Sequence, residues 1–382
     1  MRHLLTKRKK RLLREQVLQR IREKRRIARL DVIYNPNKVS TEHRPLVNRK
    51  YSPHEPTRGR AVLKFPKKMN FRGDIDETIY FLDKLKKEIL YGDSTEVLLD
   101  QKALDSITPE TAIILVSELQ RCIQYKSMKK RLRGTHPDSP AVARILTDIG
   151  FYSCLNIKSP PHAEEKSSRA FFRIMPGNRT DARIANRLVS HFEKVVSFEP
   201  IARKRLLAAL IECMDNVHNH AYRKDGISPD LIGEWWMAGF VDESVGQVGF
   251  IFYDQGVGVP TTLKEKWAVK IKTLVGMNDA ELLQHAVLEG ITRRKSERHG
   301  NGFPSFKEFI NEIPAGTGGF LRVISNKGDY SYCRNARSNP TTVEIPLNGT
   351  LLIWSIHPNK ETVDKDGRID LSSEGLQTRL AI

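Results

Sequence analysis

The chain has 382 residues, 39% of them hydrophobic, which is enough for packed cores in about two ordinary domains. Its formal net charge is +19, and no stretch reaches the roughly 18 to 20 apolar residues that a membrane-spanning helix needs. Four scattered cysteines (Cys122, Cys154, Cys213, Cys333) make neither a disulfide framework nor a C-x-x-C zinc site, and no signal-type apolar run follows the charged start, so a reduced, cytoplasmic protein is expected.

The charge is uneven. Residues 1–30 carry 13 Lys and Arg against two Glu, a net +11, leaving only +8 for the remaining 352 residues. Leu13, Val17, Ile21 and Ala28 recur there at roughly helical spacing, so a basic amphipathic helix is expected. Such an arm neutralises nucleic-acid phosphates, covers an acidic protein partner, lies on an anionic membrane or docks on its own protein. Residues 31–60 are polar and interrupted by prolines, and read as a linker.

Residues 61–160 read as a small α/β unit. "DIDETIYFLDKLKKEIL" has helical spacing, "TEVLLD" reads as a short buried strand, and Thr108-Pro109 opens a helix over "TPETAIILVSELQRCIQY". "PDSPAVARILTDIGFY" starts another helix with a proline and ends it at Gly150. A second linker, "KSPPHAEEKSSRA" (158–170), marks a boundary set at residues 161–174.

The larger unit is expected over residues 175–357, with 358–382 as a tail. It runs from "FFRIMPG" through the helix "TDARIANRLVSHFEKVVSF" to a second helix from about Ile201 to Ala221. The strands "EWWMAGFVD" and "QVGFIFYD" follow, then a Gly loop, a polar insertion, and three further strands in "GFLRVIS", "TTVEIPL" and "TLLIWSI". Helices first and strands mostly as hairpins predict an α+β sandwich with a mixed sheet.

The second helix ends in "IECMDNVHNHAY" (211–222). Glu212, Asn216 and His220 lie four apart, so they line one flank, while Leu206, Leu210, Cys213 and Val217 form the apolar stripe. A solvated face would explain the polar flank by itself. An HNH nuclease does not fit, since that motif spans a ββα unit, and a zinc site from Cys213, His218 and His220 lacks a second ligand cluster. Downstream, "GFIFYDQGVGVP" is a strand ending at Asp254 with Gly256 and Gly258 after it, and "RHGNGF" carries Gly300 and Gly302 among basic residues. Neither glycine pair makes a dinucleotide-binding fingerprint or a Walker A loop.

The ordered set E-x-x-x-N-x-x-x-H, D-x-G-x-G and G-x-G resembles the GHKL ATPase superfamily of gyrase, histidine kinases and MutL, whose ATP site is the Bergerat fold. The resemblance implies Mg²⁺ and ATP as cofactors, with Asn216 as metal ligand and Glu212 as general base. It implies Asp254 as acceptor for the adenine amino group, and Gly256 and Gly258 as the turn against the base. The lid would be residues 290–302, with Gly300 and Gly302 at the phosphates and Arg293, Arg294, Lys295 and Arg298 as charge partners. Thr342 matches the strand threonine beside the adenine, and His220 completes the first box. The lid departs from the family pattern, reading G-N-G-F before Pro304 where the family more often has a glycine and leucines.

The 61–160 unit resembles STAS-type domains, on "EVLLDQKALDSITPETAIILVSELQRC" and "SPAVARILTDIGFY". Modules of that type bind partners, and some are phosphorylated at the helix start, where Ser106 and Thr108 lie here; helix capping is the simpler role for both. "SHFEKVV" lacks the proline of a histidine-kinase phosphoacceptor box, and no transducer domain is expected after "LLIW". Two functions result: a slow ATPase switching a protein or nucleic-acid partner, or a serine/threonine kinase of the anti-sigma type acting on a STAS-like target. An unidentified protein partner is expected, with nucleic acid through residues 1–30 and a homodimer as further alternatives.

Overall fold

The computed structural model describes residues 59–73, 75–125, 131–160, 169–193, 196–222, 233–242, 247–267, 276–289, 303–313, 318–334, 338–357 and 369–371. The basic arm and the 290–302 lid lie outside the described residues.

The first unit runs β1 (Arg60–Lys64), β2 (Lys68–Met69), α1 (Ile75–Tyr91), β3 (Glu96–Asp100), β4 (Ser106–Ile107), α2 (Pro109–Tyr125), β5 (Arg131–Gly134), α3 (Pro140–Asp148) and α4 (Phe151–Leu155). Strands β1, β3 and β5 form a parallel three-stranded sheet with β3 in the middle. Helix α2 begins where its sequence predicts. Pro109 needs no amide partner in the first turn, and the Thr108 carbonyl accepts the first helical bond, from Ala112 N–H at 3.0 Å. The Thr108 hydroxyl pairs with that of Thr111 at 3.0 Å, while Ser106 is exposed on β4.

The second unit runs β6 (Arg169–Gly177), α5 (Ala182–Phe192), β7 (Val196–Phe198), α6 (Pro200–Asn216), a π-helical turn (Val217–Ala221), β8 (Trp235–Asp242) and β9 (Gln247–Asp254). It continues with α7 (Val259–Trp267), α8 (Asp279–Glu289), α9 (Pro304–Asn311), β10 (Gly318–Cys333), β11 (Thr341–His357) and β12 (Ile369–Leu371). Five strands form one sheet in the order β10-β11-β9-β8-β6.

Four points differ from the sequence reading. Every neighbouring pair in the five-stranded sheet is antiparallel, so this sheet is not mixed; parallel pairing is confined to the small sheets. A short hairpin joins β8 to β9, and the α5–α6 excursion returns the chain antiparallel beside β6. Residues 169–174, placed in a linker by composition, open the edge strand β6. "TTVEIPL" and "TLLIWSI" are one strand, β11, whose pairing with β10 shifts register near Asn326. Within the tail, residues 369–371 pair in parallel with β7.

The large sheet is covered on both faces. Side chains alternate along each strand: Trp235, Met237, Phe250, Phe252, Leu352 and Trp354 enter one core with α5, α6, α8 and α9. Their neighbours Trp236, Ala238, Ile251, Tyr253, Leu351 and Ile353 enter a second core shared with β1, β3, α1, α2 and α4. The first unit is therefore the back cover of the second unit's sheet. Polar ties cross this seam. The Trp236 indole donates to Gln120 Oε1 at 2.7 Å, and Gln120 Nε2 donates to the Cys154 carbonyl at 3.1 Å. Asp76 Oδ1 accepts from Glu344 and Ile345 N–H at 2.9 and 3.2 Å, and the Ile174 amide donates to the Ile149 carbonyl at 2.9 Å. Arg322, paired with Asp329, donates to the Phe71 carbonyl.

Candidate functional site

Helix α6 lies on the front of the sheet because its apolar stripe demands it. Leu206, Leu210, Cys213 and Val217 are all buried, as their spacing predicts. The adjoining flank carries Glu212 and Asn216, both half-buried, and then His220, which is exposed. Regular α-helix stops at Asn216, and residues 217–221 wind as a π turn holding His218, Asn219 and His220. Single π turns are frequent at functional sites.

Strand β9 delivers Asp254 to the end of this helix. Asp254 is 5% exposed. Its Oδ1 accepts the Gly256 N–H at 2.7 Å, and the Thr350 hydroxyl also bonds the carboxylate. Burial pushes its acid group up to about 7, with the Gly256 and Thr350 hydrogen bonds pulling the other way. The following loop is pinned to the π turn: Val257 N–H donates to the Ala221 carbonyl at 2.8 Å. The Tyr222 hydroxyl donates to the Glu234 carbonyl at 2.6 Å and accepts the Gln255 N–H at 3.2 Å.

The two loop glycines have separate reasons. Gly256 lies so close to the turn that a Cβ would stand 2.5 Å from Ala221. Gly258 has φ +86°, and a Cβ there would stand 1.9 Å from Asn326 Oδ1.

The loop thus meets the π turn that ends the helix. The Cys213 thiol is pushed well up by burial and then by the Glu212 and Asp254 carboxylates. Asn216 has a buried amide nitrogen without a hydrogen-bond partner among the described residues. A side-chain amide can turn to present either oxygen or nitrogen, and an orphaned one on this flank fits a missing ligand. No group of three or more His, Cys, Asp or Glu among the described residues is arranged to hold a metal. An oxygen-rich ion that keeps bound phosphates and water does not require one.

Thr342 is not brought to this place. It pairs with Gly328 near the start of β11, is exposed, and lies eight residues before the position opposite Asp254. That position is Thr350, directly across from Asp254 and buried. Both threonines stand in β-rich segments, and only the register of the long strand separates them. Arg298, Gly300 and Gly302 lie with the rest of the lid outside the described residues. No protein-family model matches the chain, and no curated protein is significantly similar to it.

Proposed function

We propose that residues 175–357 bind Mg·ATP in a Bergerat-type site and hydrolyse it slowly, as a nucleotide-dependent switch for a partner. The observation that carries this reading is the buried Asp254 at a strand end, whose D-x-G-x-G loop is bonded to the π turn that ends α6. A carboxylate in a dry pocket is an acceptor whose match is a fixed donor, and the adenine amino group supplies one. Guanine presents a carbonyl at that position, which a carboxylate rejects.

Asn216 would hold Mg²⁺ through its amide oxygen, alongside the phosphates. When bound, the ion supplies charge neutralisation for the phosphates. Glu212, one helical turn away, would accept the proton of an attacking water. Thr350 replaces Thr342 as the strand threonine of the adenine end, because it shares the Asp254 hydrogen-bond network. The seam between the two units gives such a switch an output, since the sheet that presents Asp254 on one face contacts the STAS-like unit on the other.

Calorimetry of the full chain with ATP and Mg²⁺ tests the reading, and no heat of binding would sink it. Asn216→Ala and Asp254→Asn should each weaken binding, the second with a loss of preference for ATP over GTP. Incubation with γ-labelled ATP then separates the two chemistries. Free labelled phosphate supports the switch. Label kept on the protein, and lost when Ser106 and Thr108 are both changed to Ala, supports the serine/threonine kinase instead.

A further inference from the structure

Behind Asp254, on the other face of the sheet, α2 carries an ion pair that stability alone does not explain. Glu118 and Arg121 are 4% and 2% exposed, one turn apart on the same helix. Burial pulls the Arg121 guanidinium down, and the Glu118 carboxylate nonetheless holds it above its ordinary range. Two buried charges on one helix tie no elements together, and well-packed apolar residues generally serve a core at least as well. Beyond α2, the pair reaches the loop that follows β9. Glu118 Oε1 accepts from Gln255 Nε2 at 3.4 Å.

Gln255 stands between Asp254 and Gly256, is 1% exposed, and its amide oxygen has no partner among the described residues. Its backbone N–H is held from the front by the Tyr222 hydroxyl, and its side chain is held from the back by Glu118. A buried amide that lost the Glu118 carboxylate would have no side-chain partner left in its present position, and would turn elsewhere and take the loop with it.

We infer that Glu118, paired with Arg121, is a positioning residue: it clamps the Asp254–Gly258 loop from the back of the sheet. The first unit thereby sets the geometry of the site on the front. The bearing of this clamp on adenine selection rests on the ATP reading above; the clamp itself does not. By reciprocity, a site whose geometry depends on α2 transmits its own occupancy to α2.

The test uses the full chain and two variants, Gln255→Met and Glu118→Gln. The first removes only the amide and leaves the ion pair whole, so it remains informative if the second fails to fold. Native-state hydrogen exchange of the Gly256 and Val257 amides is compared with that of β9 amides such as Phe252. The expected result is faster exchange at the two loop amides by about tenfold or more, the factor equivalent to ~1.4 kcal/mol, with β9 unchanged. A merely structural role would raise exchange throughout the sheet. In the same variants the ATP-to-GTP affinity ratio should fall. Unchanged loop exchange in Gln255→Met overturns the clamp whether or not ATP binds. Selective loosening in a protein that binds no ATP supports the clamp and overturns the nucleotide reading alone.

Discussion

The two faces of the five-stranded sheet bury similar aromatic sets but finish them differently. On the back, polar groups meet partners across the seam, as in Trp236 with Gln120 and Asp76 with the Glu344 and Ile345 amides. On the front, the same strands end at an orphaned Asn216 amide, a buried Asp254 acid and a π turn. Satisfied polar groups rigidify a core, whereas an unpaired one costs about 1–3 kcal/mol. Unmet bonding capacity exists behind the sheet too, at Gln255 Oε1 and the Tyr152 hydroxyl, but on the front it stands beside a buried acid and a π turn, where a ligand can use it.

The comparison breaks most visibly at its two tryptophans. Trp236 and Trp354 point to opposite faces, each with its indole N–H bonded to a helix partner, Gln120 Oε1 at 2.7 Å or the Phe306 carbonyl at 3.0 Å. Either change to Ala should cost roughly 3–5 kcal/mol. Denaturation of Trp236→Ala, followed by both circular dichroism and fluorescence, should remain one coincident transition. Two separated transitions would show that the back unit folds independently and covers nothing essential.

Asp254 gives the next largest effect and has a defined pH dependence. Its folded acid group sits at about 7, raised from 3.8, so the folded state holds a proton that the unfolded state has lost between those values. The wild-type protein should therefore lose stability as pH rises from about 4 to about 7 and level off above, by on the order of a few kcal/mol at ~1.4 kcal/mol per unit. Asp254→Asn should be more stable than wild type at pH 8, with the difference shrinking toward pH 5. Equal urea midpoints for the two proteins at pH 8 would mean that the front holds no strained acid.

Gly258→Ala should cost about 1–3 kcal/mol through its left-handed backbone and the Asn326 contact, read as a shift in urea midpoint. The smallest effects test the strand register. Thr350→Val removes a hydroxyl beside Asp254 and should cost about 0.5–1.5 kcal/mol, while exposed Thr342→Val should stay within about 0.5 kcal/mol of wild type. A larger loss at Thr342 would reverse the assignment of the two positions.

Much of the front was legible in the sequence. The stripe Leu206–Leu210–Cys213–Val217 and the start of α2 at Thr108-Pro109 follow from periodicity and capping, which are local rules. The order of the motifs put the end of α6 and the loop after Asp254 in one expected site, and the structure joins that loop to the π turn that ends α6. Threonine register was not legible, because a period of two cannot say how far along a 17-residue strand the partner sits. The back cover left a signal that patterning alone under-reads. "WWMAGF", "GFIFY" and "LLIW" are apolar at nearly every position, as strands buried on both sides are, yet the edge strand β6 starts inside "KSSRA", whose composition reads as linker. The antiparallel order depended on where the α5–α6 excursion returned the chain, which no local pattern encodes.

The π turn at 217–221 also limits what lengths the chain tolerates. A π turn holds one residue more than an α turn, so deleting a single residue there would leave a regular helix with no broken core stripe before it. A single deletion upstream, in the regular part of α6, would instead rotate everything after it by about 100° around the helix axis. Ala221 would then face away from Val257, and the carbonyl that pins the glycine loop would be lost even though no side chain of the site had changed. In this segment the count of residues matters more than their identity.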